Sequence, residues 1–152
     1  FLLAEILLQE TDFVKNERTD KLGLIIANGA SSIDVDIKHQ ESISDRNNYF
    51  PSPSYFVYTL PNIMIGEISI KHKIHGESTL FISEKPDFDF LVSHVNSLVE
   101  DEIIDACICG WVDCDSDQYK SVLFLVEKTD NPLKNTIFDS ENLKRIYHKK
   151  EE

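Results

Sequence analysis

Apolar and polar positions along the chain fall into blocks whose period changes. Leu2, Leu3, Ile6 and Leu7 give residues 1–9 one broad apolar face at helical spacing. Residues 11–21 are polar and charged and predict a surface connection. Leu22 to Ala27 is a short continuous apolar run ending at Asn28-Gly29, a turn signal, which predicts a buried strand. From Ser31 to Asn48 only Ile33, Val35, Ile37 and Ile43 are apolar, which predicts a long irregular loop. Phe50 to Phe56 is stiffened by Pro51 and Pro53.

Pro61 opens a second helical block over Asn62–Ile74. Ile63, Met64, Ile65, Ile68, Ile70 and Ile74 make an apolar face wide enough to predict a largely buried helix. Gly66 inside it predicts a close backbone contact, and Gly76 a left-handed cap. Thr79 to Ile82 reads as a compact strand. Asp87 stands at an N-cap position before Phe88, Leu91, Val92, Val95, Leu98 and Val99, the cleanest amphipathic pattern in the chain. Glu100, Asp101 and Glu102 close that helix against the macrodipole preference. Ile103–Val112 and Tyr119–Val126 read as strands joined by a tight turn at Asp115-Ser116-Asp117, hence an antiparallel hairpin. Asp139–Tyr147 reads as a last helix and 149–152 as a charged tail. Helices alternating with short buried strands predict an α/β domain with a layered sheet.

The 152 residues fit one domain over 1–152, with 129–152 as a C-terminal helix and tail. The chain starts at Phe1 without a basic leader or small-residue cleavage site, so it is expected to begin inside a helix, with residues missing upstream. With 15 basic and 27 acidic side chains, the formal charge is -12. That repels phosphate backbones and anionic bilayers, so neither a nucleic acid nor a membrane surface is an expected partner. No apolar run approaches the roughly 20 residues of a membrane span. The expected compartment is the cytoplasm.

Candidate chemistry is sparse. Cys107, Cys109 and Cys114 are too few and too close for a disulfide framework. Cys107 and Cys109 alternate on a strand and read as small buried hydrophobes; a metal site there has no second Cys or His cluster to complete it. His72 and His75 are three apart but lack a third ligand, so they read as exposed or capping histidines. Asp34 and Asp36, and Asp113, Asp115 and Asp117, read as turn aspartates rather than a calcium loop. Phosphate loops and dinucleotide fingerprints are absent, and no cofactor or metal is implied.

Several segments, taken in order, carry a resemblance. They are Ser52-Pro53-Ser54-Tyr55-Phe56-Val57-Tyr58-Thr59-Leu60-Pro61-Asn62, then Gly66-Glu67-Ile68-Ser69-Ile70, Gly76, and Ile104-Asp105-Ala106-Cys107-Ile108-Cys109-Gly110-Trp111-Val112-Asp113. Over about residues 20–128 the chain resembles the N-terminal half of the β-ketoacyl synthases, acyltransferases of thiolase-like fold. The resemblance implies a proline-bearing loop leading into a buried helix, then a strand running up to a nucleophilic cysteine at a helix start. There the helix N-terminus would stabilise a thiolate for attack on an acyl thioester. Counted from Gly76, that position reads as Lys85, and no cysteine precedes the helix at Phe88. Ser83, as a replacement nucleophile, would need a general base. Lys85 could react as an amine only if buried and depressed in pKa; an exposed loop lysine is the plainer reading. Trp111 stands where the family usually keeps a glycine. The two histidines of the family's later half have no counterpart among His39, His72, His75, His94 and His148.

The resemblance therefore implies a noncatalytic, chain-length-factor-like member of fatty-acid or polyketide-type synthesis, aryl polyene pigments included. Its partner would be a ketosynthase subunit or a second copy, joined edge to edge through Thr79, Leu80, Phe81 and Ile82. An acyl carrier protein would dock on that partner, since two acidic surfaces repel. Two alternatives stand beside it: a condensing enzyme completed by another subunit, and an interaction domain that keeps only the fold.

Overall fold

The computed structural model describes residues 1–9, 19–115, 118–129 and 136–149. The surface connection predicted for 11–21 lies outside them apart from a 3-10 turn at Thr19–Lys21. The tip of the predicted hairpin (116 and 117) and residues 150–152 of the tail also lie outside them.

The apolar run after the turn forms β1 (Leu22–Asn28), buried at six of its seven positions. It lies between β2 (Ser78–Ile82) and β3 (Ala106–Asp115), parallel to both, and β4 (Gln118–Glu127) closes the other side antiparallel to β3. The order is β2-β1-β3-β4, with β2 at one edge. A strand covered on both faces must be apolar on both, which is why β1 reads as a continuous run.

Each face has its own core. Helix α5 (Phe88–Glu100) and helix α6 (Ser140–His148) cover one, where Leu91, Val95, Leu98 and Leu143 meet Ile25, Cys107, Cys109 and Trp111. Helix α1 (Leu2–Gln9) and helix α4 (Ile63–His72) cover the other, where Ala4, Leu8, Ile65 and Ile68 meet Leu24, Ile26 and Ile108. Cys107 and Cys109 thus share one face while Ala106 and Ile108 share the other, as alternation on a strand requires. Asp87 caps α5 by accepting the Phe90 N–H at 2.9 Å, and Asp139 caps α6 by accepting that of Asn142 at 2.8 Å.

Five local expectations are corrected. The segment expected as a loop contains helix α2 (Ile33–Ser44), with Asp34 and Asp36 in its first turn, where the macrodipole favours them. None of its residues is buried, so it lacks the core-facing stripe by which helices are recognised. The proline-stiffened segment contains helix α3 (Pro53–Tyr58): Ser52 stays extended and caps it, and Pro53 takes the first helical position, which needs no N–H donor. Helix α4 buries only Ile65 and Ile68 and leaves Ile70 82% exposed, so it covers the sheet with one side only.

Neither glycine plays the part expected of it. A Cβ on Gly66 would meet nothing within 4 Å, so no close contact is made there. The left-handed cap of α4 is Lys73, at φ 52°. Gly76 instead is where the chain presses on β1: a Cβ there would lie 2.3 Å from the Leu22 carbonyl oxygen.

Candidate functional site

The carboxyl ends of the three parallel strands converge, the usual place for a site in an open α/β sheet. Asn28, at the end of β1, is the one buried polar residue among the described core positions. Its carbonyl accepts the Ser83 N–H at 3.0 Å, just past β2, and its side-chain NH2 donates to the Val112 carbonyl at 2.7 Å on β3. Its side-chain oxygen accepts the N–H of Ser31, which turns back at φ 56°. One side chain and its carbonyl therefore tie the ends of three strands together. Asp113 completes the turn by accepting the N–H groups of Ala30 at 2.8 Å and Gly29 at 3.2 Å. Trp111 lies 3% exposed against Gly29, so this bulky side chain is packed beneath the turn.

This organisation fixes the loop between β2 and α5, where the resemblance places a nucleophile. The loop borders an open depression of about 450 Å³ lined by Ser83, Glu84, Lys85, Pro86, Asp87 and Lys144. Lys85 is exposed. Ser83 donates its hydroxyl to the Lys85 carbonyl at 3.0 Å. That bond is made to an acceptor that cannot serve as a base. At the start of α5, Asp87 already occupies the Phe90 N–H, and Asp89 pairs with Lys144 at 2.6 Å. The hydrogen bond from Lys144, with one from Ser140, holds the Asp89 carboxyl below its usual range.

The cysteines lie elsewhere. Cys107 and Cys109 are buried within the sheet, and Cys114 is half-buried near its end. The hydrogen bond to Cys107 and then burial push the Cys109 thiol well up. A thiol held neutral is neither a nucleophile nor a metal ligand. Among the described residues no three His, Cys, Asp or Glu side chains converge as a metal site. His72 pairs with Glu5 of α1 at 2.8 Å, and His75 is exposed.

Two surfaces outside the loop are also open. Among the described residues no strand lies beyond β2, and a groove of about 500 Å³ between it and α4 is lined by Ile65, Gly66, Ser69, Thr79 and Leu80. The second surface is the α2–α3 pair. Ile33, Ile37, Phe50, Phe56 and Leu60 are all at least 47% exposed, and the two helices are tied to each other by the Ser32 hydroxyl on the Thr59 carbonyl at 2.9 Å. Sequence patterning missed this pair; the available signal was the concentration of aromatic residues from Tyr49 to Tyr58.

No family model matches the chain, and no curated protein matches it. Among solved structures it is similar to the ishigamide ketosynthase/chain length factor, with a TM-score of 0.63 at 12% sequence identity over 73% of this chain. The match spans 37% of the length of that solved chain. At this identity the likeness is one of fold: the layered α/β architecture is of the thiolase-like, ketosynthase type. Among the described residues no helix is long and apolar enough to cross a membrane.

Proposed function

We propose that the chain is a noncatalytic, ketosynthase-like subunit of fatty-acid or polyketide-type synthesis, acting as a chain-length-factor-like partner. The observation that carries this is the β2–α5 loop. It sits where a helix N-terminus would activate a thiolate, yet it offers an exposed lysine and a serine bonded to a main-chain carbonyl. The nearest thiols in sequence, Cys107 and Cys109 on β3, are buried in the core. Without a nucleophile the covalent acyl-enzyme step has no starting atom.

Association is the function left to such a fold, and two features support it. The β2 edge has an uncharged run, Ser78 to Ile82, at its open side. The α2–α3 pair presents apolar residues of which none is fully buried within the chain, and exposed apolar surface of this kind marks an interaction site. Thr79, Leu80, Phe81 and Ile82 are the proposed contact strand. The partner is a ketosynthase subunit or a second copy of the chain, and a carrier protein docks on a ketosynthase rather than here because like charges repel.

Incubation with short-chain acyl thioesters followed by intact-mass measurement tests the noncatalytic reading. No covalent adduct is expected. A stable acyl adduct at Ser83 or Lys85 would overturn it. Co-purification from the native host tests the association, with a ketosynthase subunit or a self-dimer as the expected recovery and a lone monomer as the refuting one.

A further inference from the structure

Asn28-Gly29 is the one Asn-Gly pair in the chain, and such a pair carries a reaction of its own. The Gly29 nitrogen can attack the Asn28 side-chain carbonyl carbon, because glycine sets no Cβ in the way. The new C–N bond closes a succinimide ring. The side-chain nitrogen leaves as ammonia, taking up the proton that the Gly29 nitrogen gives up. Water then adds to either ring carbonyl and opens the ring, which yields Asp or isoAsp. The sum is one water consumed and one ammonia lost, with no redox change. A main-chain amide is a weak nucleophile, so the step needs both its deprotonation and a close approach of the two atoms.

We propose that Asn28-Gly29 is a self-modification site that the fold holds shut, and that it reacts when the ends of β1, β2 and β3 part. Each reacting group is committed elsewhere. The Gly29 N–H, whose proton must leave before attack, donates to the Asp113 carboxylate at 3.2 Å. The departing NH2 donates to the Val112 carbonyl at 2.7 Å. The side-chain oxygen accepts the Ser31 N–H. The Asn28 amide is thus fixed at both of its polar atoms and is not free to swing onto the Gly29 nitrogen. Its burial also keeps out the water that must open the ring.

Packing imposes the glycine. A Cβ at position 29 would lie 3.0 Å from Asp113 Oδ2 and 3.1 Å from the Trp111 ring, so a bulkier residue, which would slow the attack, must displace a buried indole. The product cannot remake the tie. Aspartate loses the NH2 group and sets a carboxylate oxygen against the Val112 carbonyl, where a buried charge and an unpaired acceptor are both costly. IsoAsp reroutes the main chain through the former side chain, lengthening it by one atom. The Asn28 main-chain carbonyl that accepts the Ser83 N–H then becomes a free carboxylate, so the end of β2 and the loop before α5 are released with it. A transient opening is converted into a permanent one, the route by which chemical change of an opened chain makes unfolding irreversible.

The test ages the full chain at mildly alkaline pH, native and in guanidinium chloride, and digests it with trypsin. The peptide 22–38 holds Asn28 as its single Asn and has no Gln, so an amide-to-acid mass change in it reports this site. Labelling by isoaspartyl methyltransferase reports isoAsp. The native chain is expected to react at least about tenfold more slowly than the denatured one. Across temperature the native rate should track hydrogen exchange of the Ser83 N–H. Asp113→Ala frees the Gly29 N–H and should react several-fold faster than wild type when native, yet at the same rate in denaturant. Circular dichroism establishes that the variant is folded, and the wild-type comparison stands without it. A native wild type reacting as fast as the denatured chain, a native rate indifferent to Ser83 exchange, or a folded Asp113→Ala chain reacting no faster than wild type overturns the proposal.

Discussion

Gly76→Ala should cost more stability than any surface substitution in the chain, and the reason is visible in three distances. A Cβ at this position would lie 2.3 Å from the Leu22 carbonyl oxygen, 2.8 Å from its carbonyl carbon and 3.2 Å from its nitrogen. All three are backbone atoms at the start of the central strand, so no side chain can rotate away. Relief requires Leu22 or the segment at Gly76 to move by roughly 1 Å, since contacts inside about 3 Å are strongly repulsive. Moving either one disturbs the bonds that His75 and Gly76 donate to the Thr19 carbonyl at 2.9 and 3.3 Å. Overpacking in a well-filled site costs about 1–3 kcal/mol, and the rigid target places this case near the top of that span. For a domain of this size that lowers Tm by about 6–12 °C. Gly66→Ala is the control. Its Cβ would enter open space inside a helix, so the variant should gain up to about 1 kcal/mol and 2–4 °C. Thermal unfolding followed by circular dichroism, with urea titration as a second measure, reads both. A Gly76→Ala protein melting within 2 °C of wild type would refute the steric argument.

Other expectations follow from single contacts. Asp139→Ala removes a cap that accepts two bonds from Asn142, each at 2.8 Å, and should cost about 1 kcal/mol in urea unfolding. Glu5 is held below the usual glutamate range chiefly by its hydrogen bond from Lys71, with His72 also contributing, and it ties α1 to α4. A carboxyl depressed on folding stabilises the fold above its unfolded value, about 4.3, and loses that contribution as pH falls through the lower folded value. Amide exchange in α1 should therefore accelerate over that acidic window, and Glu5→Gln should abolish the pH dependence. A thiol-labelling time course should find Cys107 and Cys109 unreactive in the native protein and all three cysteines reactive in denaturant. Rapid native labelling of either would contradict their burial.

What was legible in the sequence tracks what is buried within the chain. Phe88, Leu91, Val95 and Leu98 announce α5 because the sheet covers the side they share. Leu22 to Ala27 announces β1 because both its faces are covered. The Asn28-Gly29 turn was legible as a turn, but its function as the tie between three strand ends was not. That role depends on Val112, Ser83 and Asp113, which are brought there by pairing across more than fifty residues. That no cysteine stands before Phe88 is a fact of the sequence alone. The environment of Ser83 was not legible, because its hydroxyl is committed by a local turn that the sequence does not display.

The two helices that patterning missed, α2 and α3, point the same way as the open edge. A period is recognisable only when one side of a helix is selected for burial, and that selection needs a surface to be buried against. Neither helix buries a residue within this chain. Yet α3 is built from Tyr55, Phe56, Val57 and Tyr58, each more than 40% exposed, so water still meets a large share of every one of these side chains. The composition is explained if the covering surface belongs to another chain. Helix α4 repeats the pattern with Ile70, and β2 with Ile82. Four elements thus carry apolar residues out of proportion to what they bury, and in each the surplus lies away from the chain's own core. On the reading proposed above, that outward apolar surplus is the surface a partner chain would cover.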